Sequence, residues 1–178
     1  MHVRSFSFAA MMLAALLSPA LLSHAAAADA TRCDATLVVT DPDPKGLNVR
    51  SAPDAKSGIV AVLKGGDYIE VHVTGQSGQW YAIDTATMID TSLADQEKAI
   101  FHGHGFVHVS KVGASGMQSG AVILDRPDEK TGKKVAWDGR GDQAVTVLAC
   151  SGPFLKVQLR KVTGWSKEIC TNELTTCA

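Results

Sequence analysis

The chain has 178 residues and a formal net charge of −1, with 17 Lys and Arg against 18 Asp and Glu. That balance leaves no electrostatic footprint for nucleic acid and no polybasic patch for a membrane surface. Hydrophobic residues make up 46% of the chain, a value inflated by one apolar run at the N-terminus; no second run approaches the length of a membrane span.

In chain order the first element is that run. Met1-His2-Val3-Arg4 is basic, Phe6 to Leu22 is rich in Ala, Leu and Met, and small residues follow through Ala30. This is the pattern of a secretory signal peptide, taken as residues 1–28, with Ala25, Ala28 and Ala30 as candidate cleavage sites. The apolar run is interrupted by Ser18-Pro19 and falls short of the ~20 residues of a stable span. The expected location is periplasmic or secreted. What remains, roughly 150 residues, is one ordinary domain or two very small ones.

Beyond the leader, short strand-like runs alternate with turn formers, the signature of a small barrel or sandwich. Strands are predicted at Leu37–Val39, Leu47–Arg50, Ile59–Leu63, Tyr68–Val73, Trp80–Ile83 and Phe106–Val109. The turns between them include Asp41-Pro42-Asp43-Pro44, Lys64-Gly65-Gly66-Asp67 and Gly75-Gln76-Ser77-Gly78. Alternation points Leu47, Val49, Tyr81 and Ile83 inward. The segment Asp84 to Ile100 is an insertion, and Thr91-Ser92-Leu93-Ala94-Asp95 resembles a helix start, predicting a short helix over Ser92 to Ala99.

The second half repeats the order of landmarks. Ala121-Val122-Ile123-Leu124 before Asp125-Arg126-Pro127-Asp128 parallels Leu47 to Arg50 before Ser51-Ala52-Pro53-Asp54. Gly141 to Val147 parallels Gly66 to His72, Ser151 to Val157 parallels Ser77 to Ile83, and Gly164-Trp165 parallels Gly105-Phe106. Two copies of one module are expected, at residues 33–113 and 120–178, joined through Gly113 to Gly120. In the second copy, Lys156 marks the wet face, so Leu155 and Val157 are expected in the core, with Phe154 and its counterpart Trp80 on the outer face or its margin.

At this point the chain resembles the bacterial Src-homology-3 family. Leu47-Asn48-Val49-Arg50-Ser51-Ala52-Pro53, Gly66-Asp67, Gly78-x-Trp80-Tyr81 and Gly105-Phe106-Val107 carry the resemblance in the first half. The second lacks the Asn-x-Arg element but keeps Ser151-Gly152 and Gly164-Trp165. The resemblance implies an all-β protein of two small SH3-like barrels in tandem; the predicted helical insertion falls in the first. It also implies a non-enzymatic binding or scaffolding role in the cell envelope, with a cell-wall peptide or an envelope protein as partner.

Four cysteines, Cys33, Cys150, Cys170 and Cys177, predict two disulfides in an exported chain. Strand order favours Cys150–Cys170 with Cys33–Cys177; a local Cys170–Cys177 pair is the alternative. Candidate ligand-binding residues are the aromatics Trp80, Tyr68, Phe106 and Trp165, because aromatic grooves hold extended peptides. Trp137 and Phe154 could line the same grooves, and packing within and between modules is the competing role for each. A metal-binding alternative uses His102, His104 and His108, which share one face of an extended strand, with His72 as a further ligand. A third reading is a structural subunit whose grooves its own loops fill. No cofactor is expected. Neither is catalysis: the cysteines are expected to be paired, and no Gly-x-Ser-x-Gly elbow is present. Arg140-Gly141-Asp142 reads as a turn into a strand, like Gly66-Asp67.

Overall fold

A computed structural model describes residues 30–171 apart from 95 and 141–143. The signal-peptide segment, part of the Arg140-Gly141-Asp142 turn and Cys177 lie outside the described residues. The strands are β1 (Thr31–Val39), β2 (Leu47–Arg50), β3 (Ile59–Leu63), β4 (Tyr68–Ser77), β5 (Trp80–Ile89), β6 (Glu97–His108), β7 (Val112–Gly113), β8 (Gly116–Met117), β9 (Thr146–Ser151), β10 (Phe154–Leu159), β11 (Val162–Ser166) and β12 (Ile169–Cys170). A 3-10 turn covers Val109–Lys111. The described residues are thus all-β, as the sequence predicts.

Seven strands form one antiparallel sheet in the order β3-β2-β6-β5-β4-β1-β7, which curls into a half-barrel. β9, β10 and β11 form a second sheet, and β8 pairs with β12. Alternation sets the inward face. Leu47, Val49, Val71, Val73, Tyr81, Ile83 and Val107 are buried, as are Leu155 and Val157. These residues, with Leu37, Met117 and Ile123, belong to one continuous buried cluster that runs through both sheets. Tyr81 is fully buried, and its hydroxyl meets no hydrogen-bond partner among the described residues. Burial pushes its pKa up to about 12, so the group stays neutral.

The predicted helix over Ser92 to Ala99 is not formed. β5 continues to Ile89, and β6 starts at Glu97, with Thr87 opposite Ala99, Met88 opposite Lys98 and Ile89 opposite Glu97. The residues between make a turn: Asp90 Oδ1 accepts from the amide and hydroxyl of Ser92, and Asp67 Oδ2 accepts from the amide and hydroxyl of Thr91. Ser92, which suggests a helix cap, serves a turn equally well. β-branched Thr85, Thr87 and Ile89 extend the ladder, and that pairing overrides the helical propensity of the flanking Glu, Lys and Ala.

The two halves reuse the same local geometry. The β4–β5 turn pivots on Gly78 (φ 57°) and the β9–β10 turn on Gly152 (φ 53°), a conformation glycine adopts without steric cost. Arg50 pairs with Phe106, and Leu124 bridges to Trp165. A Cβ on Gly105 would collide with Val49 Cγ1, and one on Gly164 with Ile123 Cγ2 and the Leu124 carbonyl. Each glycine lets a crossing segment lie against its sheet. The halves differ where Ala121 to Leu124 makes isolated bridges in place of a full strand, and where β10–β11 is far shorter than β5–β6.

β1 joins them. One edge pairs with β4 from Thr31 to Val38, and the other meets β7 at Val38 and Val39. At Cys33 it also meets the second sheet: Asp34 N donates to Gly152 O at 2.8 Å and Gly152 N to Arg32 O at 2.8 Å. Cys33 is disulfide-bonded to Cys150, with Cα atoms 5.6 Å apart across a sequence separation of 117. This corrects the expected Cys150–Cys170 pairing. Cys150 stands beside β1 because the β9–β10 turn packs on the N-terminal strand, a contact that strand order within the second half does not contain. Cys170 is also disulfide-bonded.

Two outcomes follow. A bond closing a loop this long restricts the unfolded chain strongly, so the Cys33→Ser/Cys150→Ser double variant should lose about 2–5 kcal/mol of stability in urea unfolding. Gly105→Ala, which forces Val49 out of a packed core, should lose about 1–3 kcal/mol with the denaturant slope unchanged.

Candidate functional site

Alternation on β5 and β6 sends Tyr81, Ile83 and Val107 into the core and leaves the residues between them on the outer face. Trp80 pairs with His108 and Ala82 with Phe106, and opposed residues project to the same side. The Trp80 and His108 rings meet edge-on at 5.3 Å, and His104 meets Phe106 edge-on at 4.9 Å. β2 continues this surface, with Asn48 exposed and Arg50 beside Phe106. The Arg50 guanidinium donates to Ser57 O at 2.7 Å, which orders the loop after β2. The result is a polar-rimmed aromatic surface in which Trp80 and Phe106 are both partly exposed.

The turn of the insertion lies away from it. Trp80 and His108 stand at one end of the β5–β6 hairpin and Ile89 and Glu97 at the other, nine residues or about 30 Å of strand away at ~3.3 Å per residue. Tyr68 pairs with Ile89 and therefore belongs to that distant end, where it lines a hollow with Asp41, Pro44, Leu63 and Lys64. Of the four candidate aromatics, then, Trp80 and Phe106 share one surface, Tyr68 lies apart, and Trp165 occupies the matching position in the second sheet. Phe154 faces the outer side there but is only 8% exposed, with Lys167 Nζ 5.8 Å above its ring. Trp137 donates its indole N–H to Ala121 O at 2.7 Å and packs against the core.

The histidines divide into two groups. His102, His104 and His108 lie along β6, and His108 Nδ1 is 2.8 Å from Ser110 Oγ. His72 sits on β4, across Thr85 of β5 from His102. It is held between two carboxylates: Nδ1 is 2.8 Å from Asp84 Oδ1 and Nε2 is 3.1 Å from Asp34 Oδ1. The four histidines therefore do not converge, and among the described residues no three His, Cys, Asp or Glu side chains are arranged to hold a metal ion.

The Asp34–His72–Asp84 triad spans three strands, and its carboxylates were not foreseen; they lie 38 and 12 residues from His72 in sequence. Partial burial lowers the His72 pKa, but hydrogen bonds to Asp34 and Asp84 and their charges outweigh it and raise the net value. For Asp84, burial raises the pKa, while the hydrogen bond and charge of His72 bring it below its usual range. The raised His72 value means its contribution is complete below 6.5 and fades as pH rises through the folded pKa. The lowered Asp84 value means its contribution holds above 3.8 and fades as pH falls through the folded pKa. The melting temperature should therefore drop as pH rises above 6.5, and His72→Gln should flatten that drop; an unaltered profile would show that the triad adds nothing.

No helix among the described residues is long and apolar enough to cross a membrane. Residues 45–99 match the family model of the bacterial SH3 domain, a span running from the start of β2 into β6 and stopping before Gly105-Phe106. No curated protein and no solved structure matches the chain.

Proposed function

We propose that this chain, whose residues 45–99 match the family model of the bacterial SH3 domain, is a non-enzymatic, exported binding or scaffolding protein of the cell envelope. Domains of this family are binding modules of the cell-wall type. In our reading residues 33–113 form one such module and residues 120–178 a second, divergent one. The recurring turn at Gly78 and Gly152 and the recurring close approach at Gly105 and Gly164 support this reading. Export is supported by the N-terminal sequence pattern and by disulfides, which persist in oxidising compartments.

The observation that carries the functional reading is the open aromatic surface of Trp80 and Phe106 on the module that matches the family. Rigid aromatic rings rimmed by Asn48, Arg50 and His108 suit an extended peptide: the rings supply contact area at little entropic cost, and the polar rim satisfies the peptide backbone. The occupant is a cell-wall stem peptide or a peptide segment of an envelope protein.

Co-sedimentation with purified peptidoglycan distinguishes the two occupants. Retention on peptidoglycan supports the stem peptide; no retention, with capture of an envelope protein by cross-linking, supports the second. In either case Trp80→Ala should weaken binding at least tenfold while lowering stability by less than about 1 kcal/mol, as expected of a partly exposed residue. A large loss of thermal stability with unchanged affinity would assign Trp80 to packing instead.

A further inference from the structure

The outer face of the second sheet carries different chemistry from that of the first. Leu124 bridges to both Lys134 and Trp165, and Trp165 pairs with Lys156. Opposed residues project to one side, so Lys134, Leu124, Trp165 and Lys156 form a row across the face, about 14 Å long at ~4.8 Å per strand. The next row brings Phe154 beside Lys167, which directly follows Ser166, the partner of Leu155. Lys156 Nζ lies 5.9 Å above the Trp165 ring and Lys167 Nζ 5.8 Å above Phe154.

Beside these rows is a cavity of about 240 Å³, with Val122, Leu124 and Phe154 as its apolar lining and Lys134 and Lys167 on its rim. The acids at this rim are already engaged. Glu129 Oε1 is 2.8 Å from Lys167 Nζ, and Glu168 Oε2 accepts from the Val122 amide. Lys134 meets no acidic partner among the described residues. The imbalance extends to the whole segment: residues 114–171 contain nine Lys and Arg against six Asp and Glu, whereas residues 30–113 contain seven against ten. Where the first face has Ala82 and His108, the second has Lys156 and Lys167.

We propose that this face is a second binding site, distinct from the Trp80 surface, and that it takes an acidic peptide in extended form. In such a peptide, side chains at i, i+2 and i+4 point to the same side and span about 13 Å, close to the length of the lysine-bounded row. A carboxylate at i meets Lys134, an apolar side chain at i+2 enters the cavity over Leu124 and Phe154, and a carboxylate at i+4 meets Lys156. Lys167, already paired with Glu129, borders the slot between them. Cations separated by an apolar slot favour this acid–apolar–acid order. A uniformly charged polyanion would leave the slot unfilled.

Calorimetric titration of the disulfide-bonded protein at low salt with acetylated, amidated Glu-Ser-Val-Ser-Glu tests this. Binding is expected, at least tenfold tighter than that of Gln-Ser-Val-Ser-Gln. Lys134→Glu should weaken it at least tenfold with an unchanged melting temperature, Lys134→Arg should retain it, and Trp80→Ala should leave it unaffected. Equal affinity for the Gln peptide, indifference to Lys134→Glu, or no detectable binding would each overturn the proposal. So would phosphatidylglycerol vesicles binding the same face while the peptide does not.

Discussion

Strand β1 can satisfy its backbone only by serving three neighbours at once. Its hydrogen-bonding edges are taken by β4 on one side and, at its inner end, by β7 on the other. At its outer end the peptide groups of Arg32 and Asp34 exchange hydrogen bonds with Gly152, and Cys33 is bonded to Cys150. Gln76 of β4 reinforces the junction by accepting from the Cys150 amide at 3.1 Å. The buried cluster is continuous through this region, so the second sheet has no separate core to fall back on. Each half alone is small enough to bury little apolar surface. Sharing a strand, a disulfide and a core is how the arrangement gains enough.

That sharing also explains the different character of the two outer faces. Inward positions are constrained by a common core, and they hold similar apolar residues in both halves: Val49 and Ile123, Tyr81 and Leu155, Ile83 and Val157. Outward positions have no such constraint. Trp80 and His108 meet edge-on in the first half, and Phe154 and Lys167 stack in the second. Both pairs put an aromatic ring beside a nitrogen-bearing side chain. The two sheets thus present outer faces of different chemistry.

The sequence made the period-two elements plain. Leu47–Arg50 and Ile59–Leu63 are strands with the expected boundaries, and the inward positions follow from alternation alone. Long-range placement was not legible in the same way. The hairpin extension through Ile89 and Glu97 was hidden because Ser92, Asp95 and the following Glu and Lys suit a helix as well as a turn, and only pairing with β5 decides between them. The Cys33–Cys150 bond depends on how one half packs on the other, which no local pattern records. For the site, the aromatic candidates were visible as residue types, yet register alone separates Tyr68 from Trp80. The carboxylates around His72 and the lysine row around Trp165 come from strands distant in sequence, and nothing in their spacing announces them.

The 117-residue separation between Cys33 and Cys150 also has a temporal meaning. β2 through β6 form a meander whose pairings are mostly between consecutive strands, and contacts of that kind cost little chain entropy to close. β1 leads the described chain but meets Cys150 and Gly152 only once β2 through β9 exist. A chain emerging N-terminus first can dock β1 on β4 early, but must keep Cys33 unpaired until Cys150 appears. The earliest cysteine to arrive is bound to wait for one made more than a hundred residues later, with Cys170 and Cys177 following close enough behind to compete for it. The order of arrival, as much as the final geometry, makes disulfide fidelity a requirement for this fold.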